Sequence, residues 1–226
     1  MATSTNAVPD TDALVRFARR VAHDVNNFST VVRTYSELLL SDIPDGDPLR
    51  ADVEEIYRAA DATVRYLQRV TRFSRAGTMR RVAASVDDGI TDAQAVLASE
   101  QADRPVQVTL GGGQIQADAP WWQDVMLELL RNAHDAAPRG RAIVVRSVVQ
   151  DGVVTVDVED EGDGIPANLR ATVTEPFVTS KEGVRGAGIG LAIVAGFVGT
   201  LGGSIQFDRV DGTTGARTRV RLTLPV

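Results

Sequence analysis

Between Leu14 and Leu39 the apolar side chains recur at helical spacing, and this row constrains the fold more than any other feature. Leu14, Phe17, Val21, Val25, Phe28, Val32, Tyr35 and Leu39 follow one another at steps of three and four. Steps averaging ~3.5 draw one apolar stripe along a helix and resemble a bundle seam more than the face of a lone surface helix. The spacing predicts a helix from Thr11 to about Leu40, interrupted by Ser41-Asp42-Ile43-Pro44-Asp45-Gly46. Asp47 then stands at an N-cap, with Pro48 at the first helical position, where a missing N–H does no harm. The second helix carries Leu49, Val53, Ile56, Ala60, Leu67 and Val70 on one side and is predicted to reach about Arg75. Two long helices on a short connection make an antiparallel hairpin. A single hairpin buries only a strip, so a four-helix bundle formed by a homodimer is expected.

After Ala76-Gly77 the texture changes, and residue 77 is the predicted domain break. A helix-like stretch (Asp87 to Ser99) precedes a strand-like one (Pro105 to Leu110), and Gly111-Gly112-Gly113 turns the chain. A helix from Pro120 to Ala137 follows, capped by Asp118. Residues 141–149 and 152–159 alternate apolar and polar types as a hairpin does. A Gly-rich loop, a helix from about Ile189 to Leu201, and strands near Ser204–Phe207 and Thr218–Leu224 complete the pattern. Strands and helices mixed over about 150 residues predict an α+β sandwich with helices on one face. The expected organisation is a flexible tail (1–10), a helical hairpin (11–77) and an α+β domain (78–226).

Composition narrows the chemistry. The 226 residues include no cysteine, which excludes disulfides and thiolate metal sites and fits a cytoplasmic protein. The net charge of −6 argues against nucleic acid as the main partner. No apolar run approaches the ~18–20 residues that span a bilayer, and the N-terminus lacks a basic-then-apolar signal, so membrane insertion is not expected. His23 and His134 are the two histidines. Imidazole chemistry must use one of them.

His23 lies two residues from both Val21 and Val25, about 200° around the helix, and so projects away from the apolar row. Asp24 follows directly and could take a proton from one ring nitrogen, leaving the other as a nucleophile. Asn27 is one turn on, where it could position a water. Arg16, Arg19 and Arg20 stand on the same polar side. They fit phosphate charge, and they fit equally a solvated face paired with Asp10, Asp12 and Asp24.

The helix that begins at Trp121 reads WWQDVMLELLRNAHDAA. Asp124, Glu128, Asn132 and Asp135 fall on one stripe, while Trp122, Val125, Met126, Leu129, Leu130 and Ala133 face elsewhere. Oxygen donors in a stripe suit Mg²⁺, which keeps several waters and shares phosphate oxygens. A solvated acidic face is the plainer alternative, although Asn132 is poor material for one. Asp160 ends a strand and enters Glu161-Gly162-Asp163-Gly164-Ile165, where glycines let the backbone approach a flat ligand. A carboxylate there can accept from an exocyclic amine such as that of adenine. Gly186-Ala187-Gly188-Ile189-Gly190-Leu191 opens a helix, and N–H groups at a helix N-terminus suit phosphate. It is not a GxxxxGK[ST] loop and does not follow a strand as a dinucleotide fingerprint does. Between these lies Thr174-Glu175-Pro176-Phe177-Val178-Thr179-Ser180-Lys181, leading into a glycine-bearing run that looks like a lid from which Lys181 could reach a phosphate.

In this order the motifs resemble those of the two-component sensor histidine kinases, from about residue 11 to 226. HDVNN (His23–Asn27) resembles the phosphoacceptor box, ELLRNAHDA the N box, DEGDGI the first glycine box, EPFVTSK the F box and GAGIGLAIV the second glycine box. The closing Thr218-x-Val220-x-Leu222-x-Leu224-Pro225 is similar to the family's last strand. The resemblance implies a dimerisation and phosphotransfer hairpin followed by an ATP-binding domain of the type shared with gyrase and heat-shock chaperone ATPases. It implies that His23 is the phosphoacceptor, Asp24 its base, and Asn27 a residue used in dephosphorylating the partner. It further implies ATP and Mg²⁺ as cofactors, with Asn132 and Glu128 at the metal and Asp135 beside them. Asp160 then reads adenine, Gly162, Gly164 and Ile165 shape the base pocket, and Gly186, Gly188, Ile189, Gly190 and Leu191 hold phosphates. Phe177, Lys181 and Thr218 complete the nucleotide site. The partners implied are a response-regulator receiver domain and a separate sensor or input protein. Two departures stand out. Glu128 replaces the usual first Asn and raises an ATPase switch as the alternative, and Phe28 replaces a proline that often follows the box. A non-catalytic phosphotransfer scaffold is the other rival. No sensor, transmembrane or receiver segment is read in the sequence, so either a partner brings the signal or the chain is a fragment.

Overall fold

A computed structural model describes residues 11–73, 80–101, 105–180, 188–212 and 215–226. The chain divides into two compact units between residues 74 and 75, and the break expected at residue 77 lies outside the described residues.

The first unit is a hairpin of α1 (Thr11–Asp42) and α2 (Pro48–Phe73). The Asp47 carboxylate accepts from the Leu49 N–H at 2.8 Å, as the sequence pattern requires. Arg50 of α2 donates to the carbonyls of Leu40 (3.0 Å) and Ile43 (2.8 Å), so one side chain satisfies orphan carbonyls at the end of α1. Inside the hairpin the buried residues are small: Ala22 and Ser36 from α1, Ala60 and Val64 from α2. Arg33 reaches Asp61 across the seam at 3.5 Å.

In the single chain the apolar row of α1 faces solvent: Val21, Val25, Val32 and Leu39 are exposed, with Phe28 at 71% and Tyr35 at 65%. The small residues let the two helices approach closely, and the larger side chains then point outward. α1 therefore presents two faces, and the sequence pattern picked out the outer one.

The second unit begins with β1 (Ala83–Ser85), α3 (Val86–Glu100), β2 (Val106–Thr109), β3 (Gln114–Gln116) and α4 (Ala119–Ala136). It continues with β4 (Ile143–Gln150), β5 (Val153–Asp160), α5 (Gly190–Thr200), β6 (Ser204–Gly212) and β7 (Gly215–Pro225). β1 and β3, which the sequence did not reveal, pair antiparallel as a separate ribbon. The main sheet has the order β2-β4-β5-β7-β6, parallel at β2-β4 and antiparallel elsewhere. β4 and β5 join through Asp151 (φ 51°) and Gly152 (φ 76°), the left-handed pair that a tight hairpin turn needs.

Ser85 caps α3 by accepting from the Asp88 N–H, and Asp118 caps α4 by accepting from the Trp121 N–H. All three helices share one core with the sheet. Trp122 of α4 stacks on Phe197 of α5 at 5.8 Å, and its indole N–H donates to the Val86 carbonyl at 3.0 Å. Arg131 of α4 grips Glu100 of α3 with two bonds of 3.1 and 2.5 Å. Strand alternation sends Val154, Val156 and Val158 into this core, together with Leu222 and Leu224. The opposite parity carries ion pairs: Arg221 holds Asp157 in a two-pronged contact (2.7 and 2.6 Å), and Arg219 holds Asp208 at 2.9 Å.

Candidate functional site

The same alternation that buries Val154, Val156 and Val158 directs Asp160, last residue of β5, to the core-facing side. Asp160 is 4% exposed. Register places Thr218 of β7 opposite it, and Arg209 of β6 opposite Thr218, so three polar residues form a row across three strands. The Asp160 carboxylate accepts from the Gly162 N–H at 2.7 Å. Burial pushes its pKa above the ordinary carboxylate range. The Gly162 N–H, then the charges of Arg209 and Arg217, and finally the Thr218 hydroxyl pull it partly back.

Two glycines make the turn after Asp160 possible. A Cβ on Gly162 would sit 2.7 Å from the Ala136 carbonyl oxygen, so this loop lies directly against the end of α4. Gly164 has φ 84°, and a Cβ there would meet the Arg209 side chain at 3.2 Å. Thr218 donates to the Gly162 carbonyl at 3.4 Å. Asp160, Gly162, Gly164 and Thr218 are thus one cluster. Ile165 is half-buried beside it. A cavity of about 630 Å³ opens here, bordered by Ile165, Arg170, Phe207, Arg209 and Thr218.

On α4, Glu128 is 2% exposed and lies 3.8 Å from the Arg131 guanidinium. Its burial removes the plainer alternative of a wholly solvated acidic face: only part of the stripe, ending at exposed Asp135, meets water, while Asn132 is half-buried. Among the described residues no three histidine or acidic side chains gather to hold a metal ion. One amide with one carboxylate a turn away still fits a cation that keeps its waters and shares phosphate oxygens.

Phe177 and Gly188 meet directly. The Phe177 N–H donates to the Gly188 carbonyl at 2.8 Å, and both residues have positive φ (69° and 64°). Gly190 starts α5, with Ile189 at its N-cap and Leu191 half-buried in its first turn. Ile189 supplies no capping side chain, which leaves the first N–H groups of α5 suited to an anion. Lys181 and Gly186 lie outside the described residues.

On α1 the His23 side chain is 72% exposed. Its Nδ1 lies 3.3 Å from the Asp24 carboxylate and 3.3 Å from the Asn27 amide nitrogen.

Sequence reasoning missed four arginines. Arg209 donates to the Gly162 carbonyl (2.6 Å) and to the Thr218 hydroxyl (3.1 Å). Arg170 donates to the Ile165 carbonyl at 3.2 Å. Arg217 (2.8 Å) and Arg141 (3.3 Å) pair with Glu161. The signal for Arg209 was present, since Ile205, Phe207 and Arg209 alternate. The sequence pattern places the strand near Ser204–Phe207, short of Arg209, whereas β6 runs to Gly212.

Residues 117–226 match the family described as "Histidine kinase-, DNA gyrase B-, and HSP90-like ATPase". Sensor kinase CckA of Brucella abortus (strain 2308) is 29% identical over 232 residues, covering 94% of this chain and 24% of its own length. The histidine kinase/phosphatase NtrB of Azospirillum brasilense is 29% identical, over 95% of this chain and 56% of its own. The chain is related to the two-component sensor histidine kinases. A solved mycobacterial sensor histidine kinase, MprB, superposes with a TM-score of 0.59 at 28% identity, over 64% of this chain and 97% of that one. Full-length ShkA, solved in complex with AMPPNP, shares the fold with a TM-score of 0.72 at 20% identity. It covers 93% of this chain and 45% of that structure. The chain spans between 24% and 62% of the length of the curated relatives it matches first. Residues 117–226 of the α+β unit therefore match a histidine-kinase-type ATPase family, and the N box, both glycine boxes and the F box fall within them, whereas the HDVNN box lies on α1. No described helix is long and apolar enough to cross a membrane.

Proposed function

We propose that this chain is an ATP-dependent protein-histidine kinase that phosphorylates its own His23. The supporting observation is the pairing of His23 Nδ1 with Asp24 on an exposed helix of a chain that also carries this ATPase domain. In this reading adenine docks at Asp160, which accepts from its exocyclic amine, with Gly162, Gly164 and Ile165 shaping the pocket and Thr218 beside them. Phosphates meet the N–H groups of Gly188, Ile189 and Gly190, with Gly186 and Lys181 of the lid. Asn132, with Glu128 one turn back and Asp135 near by, would hold Mg²⁺. The ion, when bound, supplies charge stabilisation at the phosphate oxygens. His23 Nε2 attacks the γ-phosphorus in line as the bond to ADP breaks, and the Nδ1 proton passes to Asp24. Catalysis rests on positioning and charge stabilisation, and it requires the second unit to present the γ-phosphate to the hairpin.

The phosphoryl group then passes from His23 to an aspartate of a response-regulator receiver domain. Asn27 positions the water that removes it again. The exposed row Val21, Val25, Phe28, Val32, Tyr35 and Leu39 is covered by the same row of a second copy, giving a four-helix bundle. A sensor protein or an additional segment provides input at a cytoplasmic location. AMPPNP in the ShkA complex, an ATP analogue, supports the nucleotide assignment through the shared fold.

Incubation with γ-labelled ATP and Mg²⁺ tests the reading. Label that is acid-labile, alkali-stable and absent from His23→Ala is expected; acid-stable label, or label that persists in His23→Ala, refutes the assignment. A second reading, an ATPase switch, draws on the Glu128 carboxylate at the N box. Steady phosphate release without protein labelling, lost in Glu128→Gln, would select it.

A further inference from the structure

We propose that Arg209 is a positioning residue of the base site, its guanidinium locking the 160–165 loop onto β6 and β7 so that the Asp160 carboxylate is held in place. This builds on the reading of Asp160 as the group that recognises the base.

Three independent observations carry it. First, strand register fixes the row Asp160, Thr218, Arg209 on the core-facing side, so Arg209 reaches the loop from two strands away without leaving the sheet. Second, one Arg209 nitrogen spans the turn and the neighbouring strand, donating to the Gly162 carbonyl (2.6 Å) and the Thr218 hydroxyl (3.1 Å). Gly162 is also the residue whose N–H holds Asp160, so the arginine and the carboxylate grip opposite ends of one short segment. Third, the loop leaves room for this side chain: a Cβ on Gly164 would press on Arg209 Nη1 at 3.2 Å and Cδ at 3.3 Å. Gly164 thus serves the arginine as well as the turn.

A planar guanidinium suits this task, because the two N–H groups of Nη1 are directed rigidly at the carbonyl and hydroxyl oxygens and the group stays charged. The charged groups acting on Asp160 are Arg209 from β6 and Arg217 from β7, and Arg217 is itself paired with Glu161 at 2.8 Å. Arg209 makes no such acidic pair in its contacts with Gly162 and Thr218, so its positive charge bears on Asp160 without a bonded carboxylate to offset it. Removing it leaves burial to dominate at Asp160, and the carboxyl becomes harder to ionise.

The test uses the full chain, selectively ¹³C-labelled at Asp carboxyls, without nucleotide. In Arg209→Met the Asp160 titration midpoint is expected to rise, and the Gly162 amide to exchange about tenfold faster or more. Arg209→Lys keeps the charge but not the reach and planar N–H geometry of Nη1, so its midpoint stays near wild type while Gly162 exchange still quickens. An unchanged Asp160 midpoint and unchanged Gly162 exchange in Arg209→Met overturn the proposal. If Arg209→Met does not fold, wild-type Gly162 exchange in Arg209→Lys overturns it. AMPPNP titration of the same proteins separates the two readings. An affinity loss of about tenfold in Arg209→Met, with its pH dependence displaced upward, supports both. Altered Asp160 and Gly162 signals with unaltered AMPPNP affinity keep the clamp and remove Asp160 from the base site.

Discussion

Trp122 and Phe197 in the second unit are sealed from solvent, while Phe28 and Tyr35 in the hairpin stand in it. Chemistry follows the same division. In the proposed reading, Asp160 acts from a buried strand end beside its register partner Thr218, and His23 acts from an open helix face with partners from its own turn. A recognition group gains from burial because a desolvated carboxylate interacts more strongly and selectively. A phosphoacceptor must be reached by one protein domain and then by another, so it has to stay outside. The ATPase unit buries its own apolar core, whereas the hairpin leaves an apolar face that a partner would complete.

The largest expected effect breaks the chemistry of one unit and spares the other. His23→Gln removes autophosphorylation below detection, yet AMPPNP affinity measured by calorimetry stays within about twofold of wild type, since His23 is no part of the base cluster. Loss of nucleotide binding in this variant would mean that the two units do not divide the work as described.

Asp160→Asn acts in the opposite place. In the proposed reading adenine loses its carboxylate acceptor, and affinity is expected to fall by about 10²-fold. Stability moves the other way. Burial raises the Asp160 pKa in the folded chain above its unfolded value. As pH climbs through and beyond the ordinary carboxylate range, the unfolded chain ionises first, and this residue's contribution to stability declines. Near neutrality the wild type carries that penalty and Asp160→Asn does not, so its melting temperature should be higher than that of the wild type, with the difference vanishing in acid. A variant that melts lower at every pH would show that Asp160 supports the fold more than it strains it.

How much of this was legible depended on whether a feature is local. The helices, their caps at Asp47 and Asp118, and the β4–β5 turn depend on residues within a few positions of one another, and the sequence displayed them. Asp160, Gly162 and Gly164 stand in one local motif, whereas their contact with Thr218 depends on the pairing of β5 with β7. Which face of α1 packs inward was not, because an apolar period reveals a stripe and says nothing about whether its partner lies in the same chain. The small residues Ala22 and Ser36 that form the inner seam carry little hydrophobic signal. β1 and β3 escaped because three-residue strands lack a period to detect. Arg209 escaped because its role needs the register of β6 on β7, a pairing set by packing across the sheet.

Phe28→Asp together with Tyr35→Asp sharpens the contrast between the two apolar inventories. Burying side chains of this size contributes about 1.5–3 kcal/mol each, so two charges on the exposed row are expected to shift a self-association equilibrium by 10²-fold or more. Sedimentation velocity would read this as a shift toward monomer, with the near-ultraviolet signal of Trp121 and Trp122 unchanged. Unaltered association would mean that some other surface joins the copies.

The smallest effects compare ion pairs. Arg58 pairs with Glu55 at 2.7 Å and Glu54 at 3.4 Å, all on the open surface of α2. Water screens such contacts and long side chains lose entropy in making them, so Arg58→Ala should change stability by less than about 0.5 kcal/mol. Arg221 holds Asp157 with two parallel bonds across the sheet, and Asp157 is largely covered. The fork geometry adds to that pair, and Asp157 raises the Arg221 pKa first through its hydrogen bond, although the exposed part of Arg221 limits the gain. A double-mutant cycle of Arg221→Ala with Asp157→Ala is expected to give a coupling of about 1 kcal/mol, above that of Arg58 with Glu55. Equal couplings in urea denaturation would show that the sheet pair is as well hydrated as the helix pair. The contrast between the two units would then lie in their apolar residues and in Asp160 alone.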